Sequence, residues 1–386
     1  MHSAAVLHVP EEGLDALISS SPTQPVTVGK LREHYQTFDL LRILAALAVI
    51  VSHSYPLTGA DGPVLIADGK FEMDLGAFAV GLFFVCSGFL ITQSWMSRPY
   101  TGSYLLRRFV RIWPGFAVAV VLAAFVVGPG ATLLTVSVYF GAKETWSYLG
   151  HTLFMAPVKF RLPGVFANNS MPVVNISLWT LPYEVLCYLG VLALGLVRGL
   201  RCRWFPLAIL GFSLLVMRLA VVEGSIDIGR LYGLGLTLRQ GLPLLCWFLA
   251  GVCVFLFPVQ PHRRLSAVAL AAALILVGAV VGEVVIVIPG VAYLIIFVGR
   301  LPFHPAVLLR RLGDPSYGIY LYGFLIQQCL VSVGMSGPTS LTMVAAPLAC
   351  ILGYLSWHLV ESPALRVARI KEANRRVQPV VPERQA

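Results

Sequence analysis

Arg42 and His53 lie eleven residues apart in the apolar run FDLLRILAALAVIVSHSYP. At ~100° per residue, eleven steps end about 20° past three full turns, so a helix would present both side chains from one face, roughly 16 Å apart along its axis. Charge within hydrocarbon is costly and is usually kept for a buried pair or a functional pathway. An imidazole there is the group best suited to take a proton from a hydroxyl near neutral pH. The structural alternative is an Arg42 that snorkels to the headgroups and a His53 that is merely interfacial. Glu184, in NISLWTLPYEVLCYLG, enters a later apolar run from its opposite end and reaches a depth similar to that of His53. A carboxylate beside an imidazole orients its tautomer and stabilises the imidazolium. The same pair would also serve simply to hold two helices together.

A second cluster is Arg107-Arg108-Phe109-Val110-Arg111-Ile112-Trp113-Pro114. Arg108 and Arg111, three apart, share a helix face. Guanidinium groups bind phosphate bidentately, which would suit a phosphorylated donor. Positive anchoring at the inner membrane face, with Trp113 as an interfacial aromatic, is the simpler reading. Ser87 and Gly88, in GLFFVCSGFL, either permit close helix approach or narrow a channel. Tyr317, Tyr320 and Tyr322 of GDPSYGIYLY line a polar interior or sit in an aromatic belt. Glu361, in WHLVESP, pairs with the Arg108/Arg111 cluster or caps a helix end, and Arg218 pairs with Glu223 or Glu184.

The elements that must position these groups follow from composition. The chain is 58% hydrophobic and 12% charged, with mean hydropathy +0.81, outside the globular range. The expected fold is all-α: a polytopic membrane helical bundle of about ten transmembrane helices. The apolar runs lie near residues 38–56, 76–95, 112–128, 177–197, 204–222, 240–258, 264–281, 284–298, 316–334 and 341–359. As one helix, 265–298 would be about 51 Å long against a hydrocarbon core of ~30 Å, so it is split at Gly282-Glu283 into a hairpin. With both termini cytoplasmic, twenty Lys and Arg fall on inner segments and six on outer loops, as the positive-inside rule requires. The net charge of +10 therefore points to membrane topology and not to nucleic acid.

The seven cysteines lack metal or disulfide spacing and read as small core residues; no metal is expected. Residues 1–36 have no apolar signal segment and are expected to be a disordered cytoplasmic tail. Residues 37–365 would form the transmembrane domain. Residues 366–386 would be a basic cytoplasmic tail lying against anionic headgroups and other membrane lipids.

Taken in order, these segments resemble the acyltransferase-3 family of integral membrane O-acyltransferases. The resemblance covers residues ~38–365 and rests on Arg-x10-His (Arg42, His53), FFxxSGFL (Phe83 to Leu90), Arg-x-x-Arg (Arg108, Arg111), SLWTLxxE (Ser177 to Glu184), DPSYGIYLY (Asp314 to Tyr322) and VESP (Val360 to Pro363). It implies acyl transfer, usually of acetyl from cytoplasmic acetyl-CoA, to a sugar hydroxyl on the far side of the cell inner membrane. The acceptor would be a cell-surface polysaccharide, lipopolysaccharide or lipo-oligosaccharide. His53 would be the catalytic base with Glu184 and Arg42 in the same pathway, and Arg108, Arg111, Ser87 and Tyr317 would form the acyl-CoA site. Two departures stand out. Where many members have a histidine after SYGIYLY this chain has Gly323, so no second catalytic histidine is taken from the resemblance. A fused extracytoplasmic domain, found in some members, is not expected here, so transfer would be completed without it or with a separate protein. The competing function is a secondary transporter or flippase for a glycan or lipid-linked intermediate, using the same buried charges as a path.

Overall fold

The computed structural model describes residues 36–68, 71–222, 230–231, 236–302 and 313–377. The expected N-terminal tail, Glu223 and the last nine residues of the C-terminal tail lie outside them. Long apolar helices form because backbone groups buried in hydrocarbon must be satisfied within the segment. They are α1 (Gln36–Leu57), α2 (Leu75–Ser97) and α3 (Thr101–Leu122), the last running on through a π-helical turn to Ala131. Two short helices, α4 (Val136–Gly141) and α5 (Lys143–Leu153), follow. Then come α6 (Leu181–Leu196), α7 (Trp204–Met217), α8 (Leu238–Leu256), α9 (Arg264–Val281), α10 (Val284–Gly299), α11 (Ser316–Ser332) and α12 (Pro338–Ser356). Helix α13 (Ser362–Val377) continues α12 through a π-helical turn at Trp357–Glu361.

Among the described residues, seven helices are long and apolar enough to cross a membrane, and Trp204–Ala220 and Val284–Gly299 are shorter apolar ones. The molecule is an all-α membrane bundle. Each of the ten ranges picked from the sequence overlaps a helix, and the range at 316–334 overlaps α11, which is not among those nine. The hairpin split is where the sequence suggested it: α9 ends at Gly282, whose φ of +78° turns the chain into α10.

Three features were not read from the sequence. Two short antiparallel hairpins pair Val64–Asp68 with Phe71–Asp74 and Arg230–Leu231 with Leu236–Thr237, within segments too short for periodicity to show. The connection after α3 is packed onto it: Tyr139 of α4 donates to the Ala124 carbonyl at 2.8 Å. Residues 366–377, expected as the start of the basic tail, continue α13, which packs against α3.

Ser87-Gly88 shows why a small residue is needed. A Cβ on Gly88 would lie 2.0 Å from the Phe248 carbonyl oxygen of α8, and one on Gly251 would lie 2.2 Å from that of Val85. The backbones of α2 and α8 touch, and dispersion between them replaces the hydrophobic drive that lipid cannot supply. Helix α1 is enclosed by α2, α11 and α12.

Neighbouring helices meet end to like end. Thr37, opening α1, donates to the Leu301 carbonyl just after α10, at 2.7 Å. At the other end Arg218 pairs with Glu283 of the hairpin tip at 2.7 Å. Of the two partners expected for Arg218, Glu223 lies outside the described residues; the pairing with Glu283 arises because the hairpin carries its one acid to the depth where α7 ends.

Candidate active site

The charged half of the site is assembled around Asp314. Its Oδ1 accepts from the backbone N–H and the hydroxyl of Ser316, at 3.2 and 2.5 Å, which fixes the turn into α11. Its Oδ2 accepts from Arg42 of α1 at 2.8 Å and from Arg111 of α3 at 2.5 Å. Burial alone would raise the Asp314 carboxyl, but the Arg42 and Arg111 charges hold it well below the usual carboxylate range. Arg111 reaches in a second direction to Glu361 Oε2 at 3.3 Å, and Glu361, 1% exposed, takes the Ser356 hydroxyl on its other oxygen at 3.1 Å. The π-helical turn is what aims Glu361 inward from an otherwise lipid-facing helix. Tyr317 flanks Arg111 with its ring and donates to the Ile112 carbonyl at 2.8 Å.

Arg108 is held differently. Its guanidinium lies between the rings of Tyr104 and Tyr188, 5.9 and 5.8 Å from their centroids. Its Nε is buried without a hydrogen-bond partner, and it has no carboxylate among the described residues. Cation–π contact partly offsets desolvation and leaves the charge uncompensated. The expectation that Glu361 meets the arginine cluster therefore holds for Arg111.

A cavity with about 520 Å³ of free space lies among these elements, lined by Arg42, Arg111, Tyr317, Tyr320, Glu184 and Tyr188 together with Phe83, Phe84 and Thr180. Glu184 accepts from Ser87 at 3.3 Å and from the hydroxyl of Tyr188. Tyr320 is tied to Thr180 at 2.7 Å and donates to the Ser177 carbonyl at 2.7 Å. Arg42, Arg111, Glu184 and Tyr317 thus share one chamber, with Ser87 bonded to its acid.

His53 stands apart from that chamber. Its ring meets Phe324 of α11 edge-on at 5.1 Å, and its Nδ1 is buried with no hydrogen-bond partner. Arg42 and His53 do project from one face: both turn toward α11 and the residues that open it. Glu184 and His53 share no hydrogen bond, because Tyr188 and Ser87 draw the carboxylate toward the arginine chamber. The acid within electrostatic reach of His53 is Asp74. Asp74 caps α2 through the Ala77 N–H at 2.6 Å and accepts from Ser52 of α1 at 3.1 Å. The next residue of α1, Ser54, is held by Gln327 Nε2 at 2.7 Å and by Thr342 at 2.8 Å.

Sequence reasoning passed over Asp74, Asp314 and Gln327. Asp74 stands directly before an apolar run, an N-cap signature that reads as structural. Asp314 was in view inside DPSYGIYLY, where its place before Pro315 and Ser316 reads as a turn. No sequence signal tied either to an arginine or a histidine.

The profile of the acyltransferase-3 family, described as an acyltransferase domain, matches residues 35–358. The chain belongs to this family. The acyltransferase is 26% identical over 353 residues to a protein named O-acetyl transferase from Shigella phage Sf6, covering 84% of this chain and 94% of that one. It is 27% identical over 360 residues to Nodulation protein 10 of Rhizobium leguminosarum bv. viciae, covering 86% and 94%. No solved structure matches it. It is a multi-pass membrane acyltransferase, and the residues described above all lie within or at the edge of the matched span.

Proposed function

We propose that this acyltransferase is an O-acetyltransferase of the cell inner membrane. It moves acetyl from cytoplasmic acetyl-CoA to a hydroxyl of an exported glycan or glycolipid. The observation that carries the reading is the pair of unlike polar centres on one face of α1, an arginine chamber at Arg42 and a histidine with a free ring nitrogen at His53. The name of the phage relative supports acetyl as the group moved.

In this reading the chain crosses the membrane ten times with both termini cytoplasmic, and the like-end contacts Thr37–Leu301 and Arg218–Glu283 support that alternation. Arg108 receives a phosphate of the donor, since it alone of the pair keeps its charge uncompensated. Arg111 positions Asp314, Glu361 and the chamber wall. The ~16 Å from Arg42 to His53 is about the reach of an extended pantetheine arm, so the thioester approaches His53 while the nucleotide stays cytoplasmic. His53 takes the acceptor hydroxyl's proton as the oxygen attacks the thioester carbonyl. The C–S bond then breaks, and the coenzyme thiolate recovers that proton from the imidazolium. Asp74 stabilises the imidazolium across the outer end of α1 and α2. Glu184 and Tyr317 line the arginine chamber on the donor's way in.

Sealed vesicles of known orientation test this. Acetyl-CoA supplied at the face bearing the C-terminus should give ester on acceptor at the other face. Turnover with donor at the His53 face alone would defeat the mechanism. Mass spectrometry of surface glycans with and without the gene separates it from transport, which would move glycan without removing an ester.

A further inference from the structure

The antiparallel turn at Gly282 brings the first residue of α9 and the residue after α10, Arg264 and Arg300, to one end of the hairpin. Between them and the end of α8 lies a cavity with about 620 Å³ of free space. Arg264, Arg300 and Tyr293 line it, over an apolar floor that includes Val254, Ile296 and Phe257. Arg203 does not line it but stacks on one of its walls, its guanidinium 5.2 Å from the centroid of the Phe257 ring. None of these three arginines meets a carboxylate among the described residues, whereas Arg42, Arg111 and Arg218 each do. Two guanidinium groups without a carboxylate in one concave site with a phenol, and a third close by, call for an anion with several acceptor oxygens, and a phosphate ester supplies them.

The surroundings choose its source. Helix α9 is the most outward of the long helices, with Leu265, Leu270, Leu276 and Val280 exposed along it. The cavity therefore sits at the basic end of an aliphatic, outward-facing strip. A phosphate that carries its own acyl chains fits both surfaces, while a soluble phosphate would leave the strip unused. We propose that the Arg264/Arg300 cavity holds the headgroup of an anionic phospholipid from the inner leaflet and fastens the α9–α10 hairpin to it. This site is separate from the acetyl-transfer centres and does not depend on their assignment.

The test uses full-length protein purified in detergent, with its melting temperature followed as phosphatidylglycerol or phosphatidylcholine is added. Phosphatidylglycerol should raise the melting temperature and phosphatidylcholine should not. The double variant Arg264→Gln/Arg300→Gln should lose most of that shift and keep its melting temperature in phosphatidylcholine. Arg198→Gln, at the same end but outside the cavity, should keep the shift. Should the double variant fold poorly, the single variants carry the same comparison, each expected to lose part of the shift. Native mass spectrometry should find phosphatidylglycerol retained on the parent protein and depleted on the variants. An undiminished shift in the glutamine variants overturns the proposal. So does an equal shift from inorganic phosphate or from coenzyme A that is lost in the double variant, which would make the cavity a site for soluble phosphates.

Discussion

At Arg42, helix α1 is held by charge: one oxygen of Asp314 takes two guanidinium groups, and Arg111 carries the connection on to Glu361. Eleven residues later the same helix is held by neutral hydrogen bonds, Gln327 to Ser54 and Thr342 to Ser54, with the Ser52–Asp74 contact beside them. The difference lies in what each arrangement tolerates. In a low-dielectric interior, removing one member of a buried ion pair orphans the others, so the inner half must be kept whole. A neutral hydrogen bond contributes only about 1 kcal/mol net, so the outer half can release a side chain without opening the bundle. A rigid frame at one end and an imidazole with a free ring nitrogen at the other are what the proposed transfer between two faces would require.

The largest expected effect separates the two halves by activity. His53→Ala should lower acyl transfer by about 10²–10⁴-fold, the range for a lost general base, while expression and thermal unfolding stay near the parent values. A folded variant with near-parental turnover would remove His53 from the chemistry. Arg111→Ala should do the reverse in kind. It leaves the buried Glu361 without a cation and Asp314 with Arg42 alone, and should destabilise the protein by about 3–5 kcal/mol, seen as a lower melting temperature and reduced yield. Arg111→Ala/Glu361→Gln should recover part of that loss, since it removes one orphaned charge. Equal stability of the single variant and the parent would show the inner lock to be a surface ornament.

Arg108→Ala should show a smaller effect, in binding. A charge-assisted hydrogen bond contributes about 1.5–3 kcal/mol, so the apparent KM for acetyl-CoA should rise roughly tenfold or more with kcat little changed. Lysine should rescue only in part, keeping the charge without the two-pronged donor. If Arg111→Lys raised the donor KM as Arg108→Ala does, without loss of stability, the division of labour between the two arginines would be wrong.

The pattern of what could be read beforehand follows from range. Helix periods, hydrocarbon-length runs and the Gly282 turn are local, so the helices and the α9–α10 hairpin were legible. The phase of Arg42 and His53 was legible too, because one helix carries both. Partnerships between helices were not. Asp314 lies 272 residues from Arg42, and its choice of Arg42 and Arg111 is set by how α1, α3 and α11 pack. Glu184 was matched to His53 on depth alone. Depth along the membrane normal says nothing about rotation of α6, and that rotation turns Glu184 toward Ser87 and Tyr188.

Glu184→Gln is the finest probe of the comparison, because it changes charge and almost nothing else. Gln Oε1 still accepts from Tyr188 and Ser87, so the packing of α6 on α2 should persist and stability should change by less than about 1 kcal/mol. If Glu184 oriented the imidazole, the variant would approach His53→Ala in its loss. If Glu184 belongs to the arginine chamber, the loss should be modest and should fall on use of the donor, since one carboxylate facing Arg42 and Arg111 has been neutralised. Asp74→Asn supplies the contrast at the other end of α1. Its amide still presents an oxygen to the Ala77 N–H, but the charge that favours imidazolium is gone, so kcat should fall and the donor KM should hold. Steady-state kinetics on the two variants side by side decide the matter. A kcat loss in Glu184→Gln larger than that in Asp74→Asn would return Glu184 to the histidine and erase the boundary between the two halves.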